Sequence, residues 1–274
     1  MKLNYKQAPL PFQGQKRMFI AQFATEISAL PDSTIFVDLF GGSGLLSRTA
    51  KDIKPKCRVV YNDFDNFRAR IKAIPTTNKI LSQLRQVLKD IKDTSRISPN
   101  KQKKVLAIIE QYDKKTFVDY TTIGSSILFS GKYVNNLAEL QKETFYNTLK
   151  QSDYLPAKDY LNGLEIRQCD YRELYKEFAG NKNAFFILDP PYLSTDTKSY
   201  SSSWKLSDYL DVLKCLRISK FAYFTSNKSS LVELVECLER NYKVPNPFAR
   251  AKKITRNNAI NYNAKYEDIM LIAV

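Results

Sequence analysis

Residues 34–40, Thr-Ile-Phe-Val-Asp-Leu-Phe, run straight into Gly41-Gly42-Ser43-Gly44, and this junction constrains the chain more than any other. A short apolar run that meets three glycines within four residues reads as a buried strand entering a tight turn. Residues 45–51 then predict a helix, and residues 58–63 a second strand ending in Asp63. Strand, glycine turn, helix and strand in that order make a right-handed βαβ unit, which commits the region to a parallel sheet. The same texture returns late in the chain. Residues 164–170 alternate as a strand ending in Asp170, and residues 184–188 form a buried run that enters Asp189-Pro190-Pro191-Tyr192. Residues 206–216 and 231–238 have helical spacing, residues 221–225 read as a strand, and residues 269–274 predict a last strand buried in the sheet.

The middle is different. Leu81, Leu84, Val87, Leu88 and Ile91 follow helical spacing, as do Val105, Leu106, Ile108 and Ile109. Residues 93–104 between them are polar with Pro99, residues 121–134 mix two glycines and several hydroxyls with apolar side chains, and Leu137, Leu140, Phe145 and Leu149 resume a loose helical pattern. The expected organisation is an α/β domain over residues 1–70 and 161–274 carrying a mainly helical insert over 71–160.

Chemistry is narrowed by what is missing. The 274 residues contain no His, so Ser-His-Asp and Cys-His nucleophile systems, His-ligated metals and imidazole bases are excluded. Cys57, Cys169, Cys215 and Cys237 are scattered with no CxxC pair, which fits reduced thiols rather than a disulfide framework. Residues 1–17 lack a signal-peptide pattern, and no apolar run approaches the roughly 18 residues of a membrane span. A cytoplasmic protein without metal or membrane partner is expected. The 43 Lys and Arg against 28 Asp and Glu leave a net charge of +15, spread along the whole chain. This charge suits either a polyanion partner or simple solubility. In residues 240–265, seven basic residues with no acid are interleaved with Asn and aromatics, which reads either as a nucleic-acid contact or as a solvated loop.

Four acids, Asp38, Asp63, Asp170 and Asp189, close candidate strands, where open parallel sheets bind ligands. The glycine turn alone is weak evidence. It lacks the GxGxxG spacing of dinucleotide sites, and the chain has no GxxxxGK[ST] loop. Asp189-Pro190-Pro191-Tyr192 is far more specific, arising by chance in about a few per thousand chains of this length. Two prolines fix the backbone and end the ladder. They hold a carboxylate and nearby carbonyls at one spot, acceptors suited to an exocyclic amine, and present a tyrosine face suited to a flat base.

Phe40-Gly41-Gly42-Ser43-Gly44 together with Asp189-Pro190-Pro191-Tyr192 resembles the S-adenosylmethionine-dependent DNA amino-methyltransferases. The order of cofactor motif, long insert and DPPY resembles their alpha group of N6-adenine enzymes, the Dam-like methylases. Pro11-Phe12-Gln13-Gly14-Gln15-Lys16 is similar to that group's amino-terminal motif, shortened and with Gln15 where the group has a second glycine. Asp63, Asp170 and Thr225-Ser226-Asn227 fit the later motifs. The likeness covers residues 9–70 and 161–274 and says little of the insert beyond its place.

The resemblance implies a Rossmann-like methyltransferase sheet, mostly parallel with an antiparallel last strand, and a target-recognition insert. It implies S-adenosylmethionine bound by Phe12, Lys16, Asp38, Phe40, Gly41, Gly42, Gly44, Asp63, Asp170, Tyr171 and Asp189, with Asp189, Pro190, Pro191 and Tyr192 catalytic. Asp38 is expected to meet the cofactor's amino group, Asp63 its ribose hydroxyls and Asp170 its adenine amine. A target adenine flipped from double-stranded DNA is expected to stack on Tyr192. Tyr200 and Trp204 are candidates to close over that base, and Lys132, Arg250, Lys252, Lys253 and Arg256 to contact the nucleic acid. A bacterial or phage origin and a cognate restriction enzyme as functional partner also follow from the likeness. An RNA adenine methyltransferase and a non-catalytic DNA-binding subunit are the alternatives.

Overall fold

The computed structural model describes residues 3–193, 204–261 and 264–274. In chain order its elements are α1 (Ile20–Ser28), β1 (Ile35–Asp38), α2 (Leu45–Ile53), β2 (Arg58–Asn62), α3 (Phe67–Lys72), α4 (Ile74–Leu88) and α5 (Pro99–Asp113). There follow α6 (Tyr120–Ile127), α7 (Leu137–Gln141), β3 (Glu165–Arg167), α8 (Tyr171–Phe178), β4 (Ala184–Leu188) and α9 (Leu206–Leu216). The chain closes with β5 (Lys220–Ser226), α10 (Leu231–Tyr242), β6 (Lys252–Asn261) and β7 (Ala264–Ala273). Two compact units result: Met1–Gln7, Gln15–Asp65 and Gly163–Val274 form one, Ala8–Gly14 and Asn66–Asn162 the other.

The first unit is a seven-stranded sheet of order β3-β2-β1-β4-β5-β7-β6. Strands β1 to β5 run parallel, and β7 is antiparallel to β5 and to β6. The apolar runs read from the sequence are buried because both sheet faces are covered. Val37, Phe186, Leu188, Tyr223 and Leu271 pack on one face with Leu174, Leu213 and Val235 of α8, α9 and α10. Phe36, Phe185, Ile187, Phe224 and Met270 face the other way, onto Phe23 and Ile27 of α1 and Leu46 and Ala50 of α2. This is the expected α/β architecture, parallel except where the chain ends.

Two stretches differ from expectation. Within the basic, Asn-rich residues 240–265, Lys252–Asn261 is not loop but strand β6, and the last strand begins at Ala264 instead of residue 269. An edge strand with one partner needs no apolar run, and charged residues are what keep such edges soluble. In the second unit the polar connector expected over 93–104 is helical from Pro99, a residue suited to a first helical turn. The helical pattern expected over 137–149 stops at Gln141, after which Phe145 pairs antiparallel with Leu128. The core of this unit is Leu81, Leu84, Val105, Ile109, Ile123, Ile127, Leu140 and Phe145.

Candidate active site

Strand β1 delivers Asp38 to the carboxyl edge of the sheet, and the glycine turn begins three residues on, at Gly41. Asp38 is 1% exposed. Ser47 Oγ of α2 donates to its Oδ2 at 2.6 Å, while Oδ1 has no hydrogen-bond partner among the described residues. Burial pushes this carboxyl up to about 7; the Ser47 hydrogen bond opposes the shift and the charge of Asp189 adds to it. The turn itself needs its glycines: Gly42 and Gly44 have φ of 47° and 71°. A Cβ on Gly41 would lie 2.3 Å from the Tyr61 ring and 2.7 Å from the Asn62 carbonyl oxygen.

The residues that lock this edge were not visible as functional in the sequence. Tyr61, fully buried in β2, donates its hydroxyl to the Gly42 carbonyl at 2.7 Å and lies 3.0 Å from Asp63 Oδ1. Asn62 donates to the Leu39 and Cys169 carbonyls, each at 3.0 Å, and accepts from Cys169 N at 3.2 Å. One amide thus ties the ends of β1, β2 and β3 together. It places buried Asp63 beside the loop that carries Asp170. Asp170 caps α8, accepting from Arg172 N at 2.8 Å, and its Oδ2 takes the Arg172 guanidinium at 3.2 Å.

Phe40 and Tyr171 meet with ring centroids 4.9 Å apart. Trp204 joins them, stacked on Tyr171 at 5.5 Å and 17° and 5.5 Å from Phe40. The indole expected at the flipped base therefore sits with the aromatics expected at the cofactor. Tyr200 lies outside the described residues.

Asp189 follows β4 directly. Its Oδ2 accepts from Lys16 Nζ at 2.5 Å, and the same ammonium stands 5.7 Å from the Tyr192 ring centroid. Burial raises the Asp189 carboxyl, Lys16 draws it down, and the charge of Asp268 on β7 raises it further. At the end of β5, Thr225 and Ser226 are buried, and Asn227 exchanges hydrogen bonds with the Glu267 backbone.

The remaining expected residues have other partners. Phe12 belongs to the second unit, packed edge-on against Phe67 at 5.8 Å. Lys132 pairs with Glu143 at 2.6 Å and Lys252 with Glu26 at 2.5 Å. Arg250 donates to the Ser219 carbonyl and Arg256 to the Thr255 carbonyl, while Lys253 is exposed. Among the described residues no cluster of His, Cys, Asp or Glu could hold a metal ion, and no helix is long and apolar enough to cross a membrane.

A parallel sheet with an antiparallel seventh strand inserted beside β5, a glycine turn after β1 and DPPY after β4 together define a Rossmann-like methyltransferase. The chain belongs to the D12 class N6 adenine-specific DNA methyltransferase family, whose profile matches residues 12–217, and it is accordingly an adenine-specific DNA methyltransferase. It is also 33% identical to a Haemophilus influenzae protein named "Putative methyltransferase", over 98% of this chain and 93% of that one.

Proposed function

We propose that this enzyme transfers a methyl group from S-adenosylmethionine to N6 of an adenine extruded from double-stranded DNA at a specific sequence. The observation that carries the reading is the Asp189 carboxylate, fixed at the end of β4 beside the Tyr192 ring. When bound, S-adenosylmethionine supplies an electrophilic methyl carbon. The residues fit it. A buried carboxylate with one unpartnered oxygen, as at Asp38, suits an ammonium group, and the open turn at Gly42 and Gly44 suits close backbone approach. Asp63 and Asp170 are assigned to the ribose and the adenine amine, and Phe40, Tyr171 and Trp204 to apolar packing beside them.

The target adenine leaves the duplex and stacks on Tyr192, where Asp189 and the Pro190 carbonyl accept its N6 hydrogens. These acceptors orient the nitrogen lone pair toward the methyl carbon and take up the positive charge that develops on N6 as the C–N bond forms and the methyl–sulfur bond breaks, which would leave a neutral thioether. Asp189 then holds the proton that N6 releases. The helical unit is assigned to target recognition, Lys132 and the basic residues near β6 to the DNA backbone, and the setting to the cytoplasm of a bacterium or phage-infected cell, where a cognate restriction enzyme is a natural functional partner.

Asp189→Ala tests the assignment. We expect methylation of plasmid DNA to fall by at least about 10³-fold, the scale on which removal of a transition-state acceptor acts, with cofactor binding retained. Full activity in this variant would remove Asp189 from the chemistry.

A further inference from the structure

The family likeness places Lys16 among the cofactor contacts, and the structure seats its ammonium on Asp189. Lys16 lies 173 residues from Asp189 in sequence and donates to its Oδ2 at 2.5 Å. It is 7% exposed, and its ammonium stands 5.7 Å from the Tyr192 ring centroid. We infer that Lys16 is a positioning residue for the amine-accepting carboxylate: it fixes one oxygen of Asp189 and leaves the other to accept from the target nitrogen. This rests on the reading of Asp189 given above.

The surroundings give the ammonium its purpose. Asp189 is faced by Asp38 from β1 and Asp268 from β7, with Tyr223 of β5 and Tyr192 alongside and Tyr266 of β7 near Lys16. Side chains alternate along β7, so Asp268 and Tyr266 project on the side of Met270, the side packed by α1. That puts two further carboxylates around a half-buried third. A carboxyl in such a place holds its proton to higher pH unless a cation opposes it. A protonated Asp189 would have one oxygen turned into a donor and would lose its charge-assisted hydrogen bond to the amine. Lys16 counters both effects, and its contact with the Tyr192 face ties the carboxylate to the ring on which the base stacks.

The test is kcat measured across pH 6–9 at saturating DNA and cofactor for wild type, Lys16→Met and Lys16→Arg, with cofactor Kd from calorimetry. In Lys16→Met we expect the acidic limb of kcat to move up by at least about one pH unit. At any pH on that limb activity then falls tenfold or more and recovers at higher pH, with Kd within threefold of wild type. Lys16→Arg should keep the wild-type profile. Asp268→Asn, which removes a negative neighbour, should move the same limb down. A Lys16→Met protein whose Kd rises tenfold while its pH profile stays in place would make Lys16 a cofactor contact and overturn the proposal. So would an Asp268→Asn profile that does not move, a result obtainable even if Lys16→Met fails to fold. A wild-type enzyme that leaves DNA unmethylated would instead count against the reading of Asp189 itself.

Discussion

At the scale of single residues, the site is built from carboxylates in unlike surroundings. Asp38 is buried, held by the Ser47 hydroxyl and drawn down only weakly by the Phe40 backbone, and its carboxyl is pushed up to about 7. The sign of the consequence follows from proton counting. Between the unfolded value near 3.8 and about 7 the folded protein holds a proton on Asp38 that the unfolded chain has released, so this residue makes stability fall as pH rises through that window. An ammonium ligand requires the charged form, so below about pH 7 cofactor binding must displace that proton. We predict that S-adenosylmethionine affinity, followed by calorimetry, weakens about tenfold per pH unit as pH falls below 7. In Asp38→Asn the affinity should be low and flat with pH. Gly41 makes a second, independent prediction. Its missing Cβ is where the Tyr61 ring lies, so Gly41→Ala should cost about 1–3 kcal/mol by overpacking, read as a lowered melting temperature. Asp38 and Asp189 were legible in the sequence because each ends an apolar run. Tyr61 and Asn62 were not, since a tyrosine and an asparagine at a strand end reveal nothing of the carbonyls they reach across the sheet.

At the scale of elements, helix α8 begins at the very acid assigned to the cofactor. Asp170 accepts from Arg172 N, so Asp170→Ala should remove a cap worth about 1 kcal/mol and lower the melting temperature by about 2–4 °C. A cofactor role adds a loss of affinity on top of that, and the two readouts separate the cap from the contact. Strands β1, β4 and β5 could be found because burial on both faces leaves continuous apolar runs. Strand β6 could not: its residues Lys252, Lys253, Thr255, Arg256 and Asn257 form an edge whose order comes from pairing with β7. The β5–β7 register, with Ser226 opposite Asp268, carries an acid to the Asp189 neighbourhood that no local pattern announces. Trp204 shows the same limit. Its place on Phe40 and Tyr171 depends on a tertiary approach, which spacing does not encode.

At the scale of the whole molecule, a net charge of +15 suits an adenine-specific DNA methyltransferase, whose substrate is a polyanion. Binding to duplex DNA, measured by fluorescence anisotropy, should weaken steeply with salt, by about 10³-fold or more between 50 and 200 mM. A near-flat salt dependence would leave the charge without a role in DNA binding. The absence of His, which first appears as a list of excluded chemistries, agrees with a mechanism that needs an acceptor carboxylate, a proline-fixed carbonyl and a tyrosine face. The most direct measurement is nucleoside mass spectrometry of unmethylated plasmid DNA after incubation with the wild-type protein and S-adenosylmethionine. We expect N6-methyldeoxyadenosine with wild type and at least about 10³-fold less with Asp189→Ala. Methyl groups found only on cytosine, or no methylated nucleoside at saturating cofactor, would contradict it.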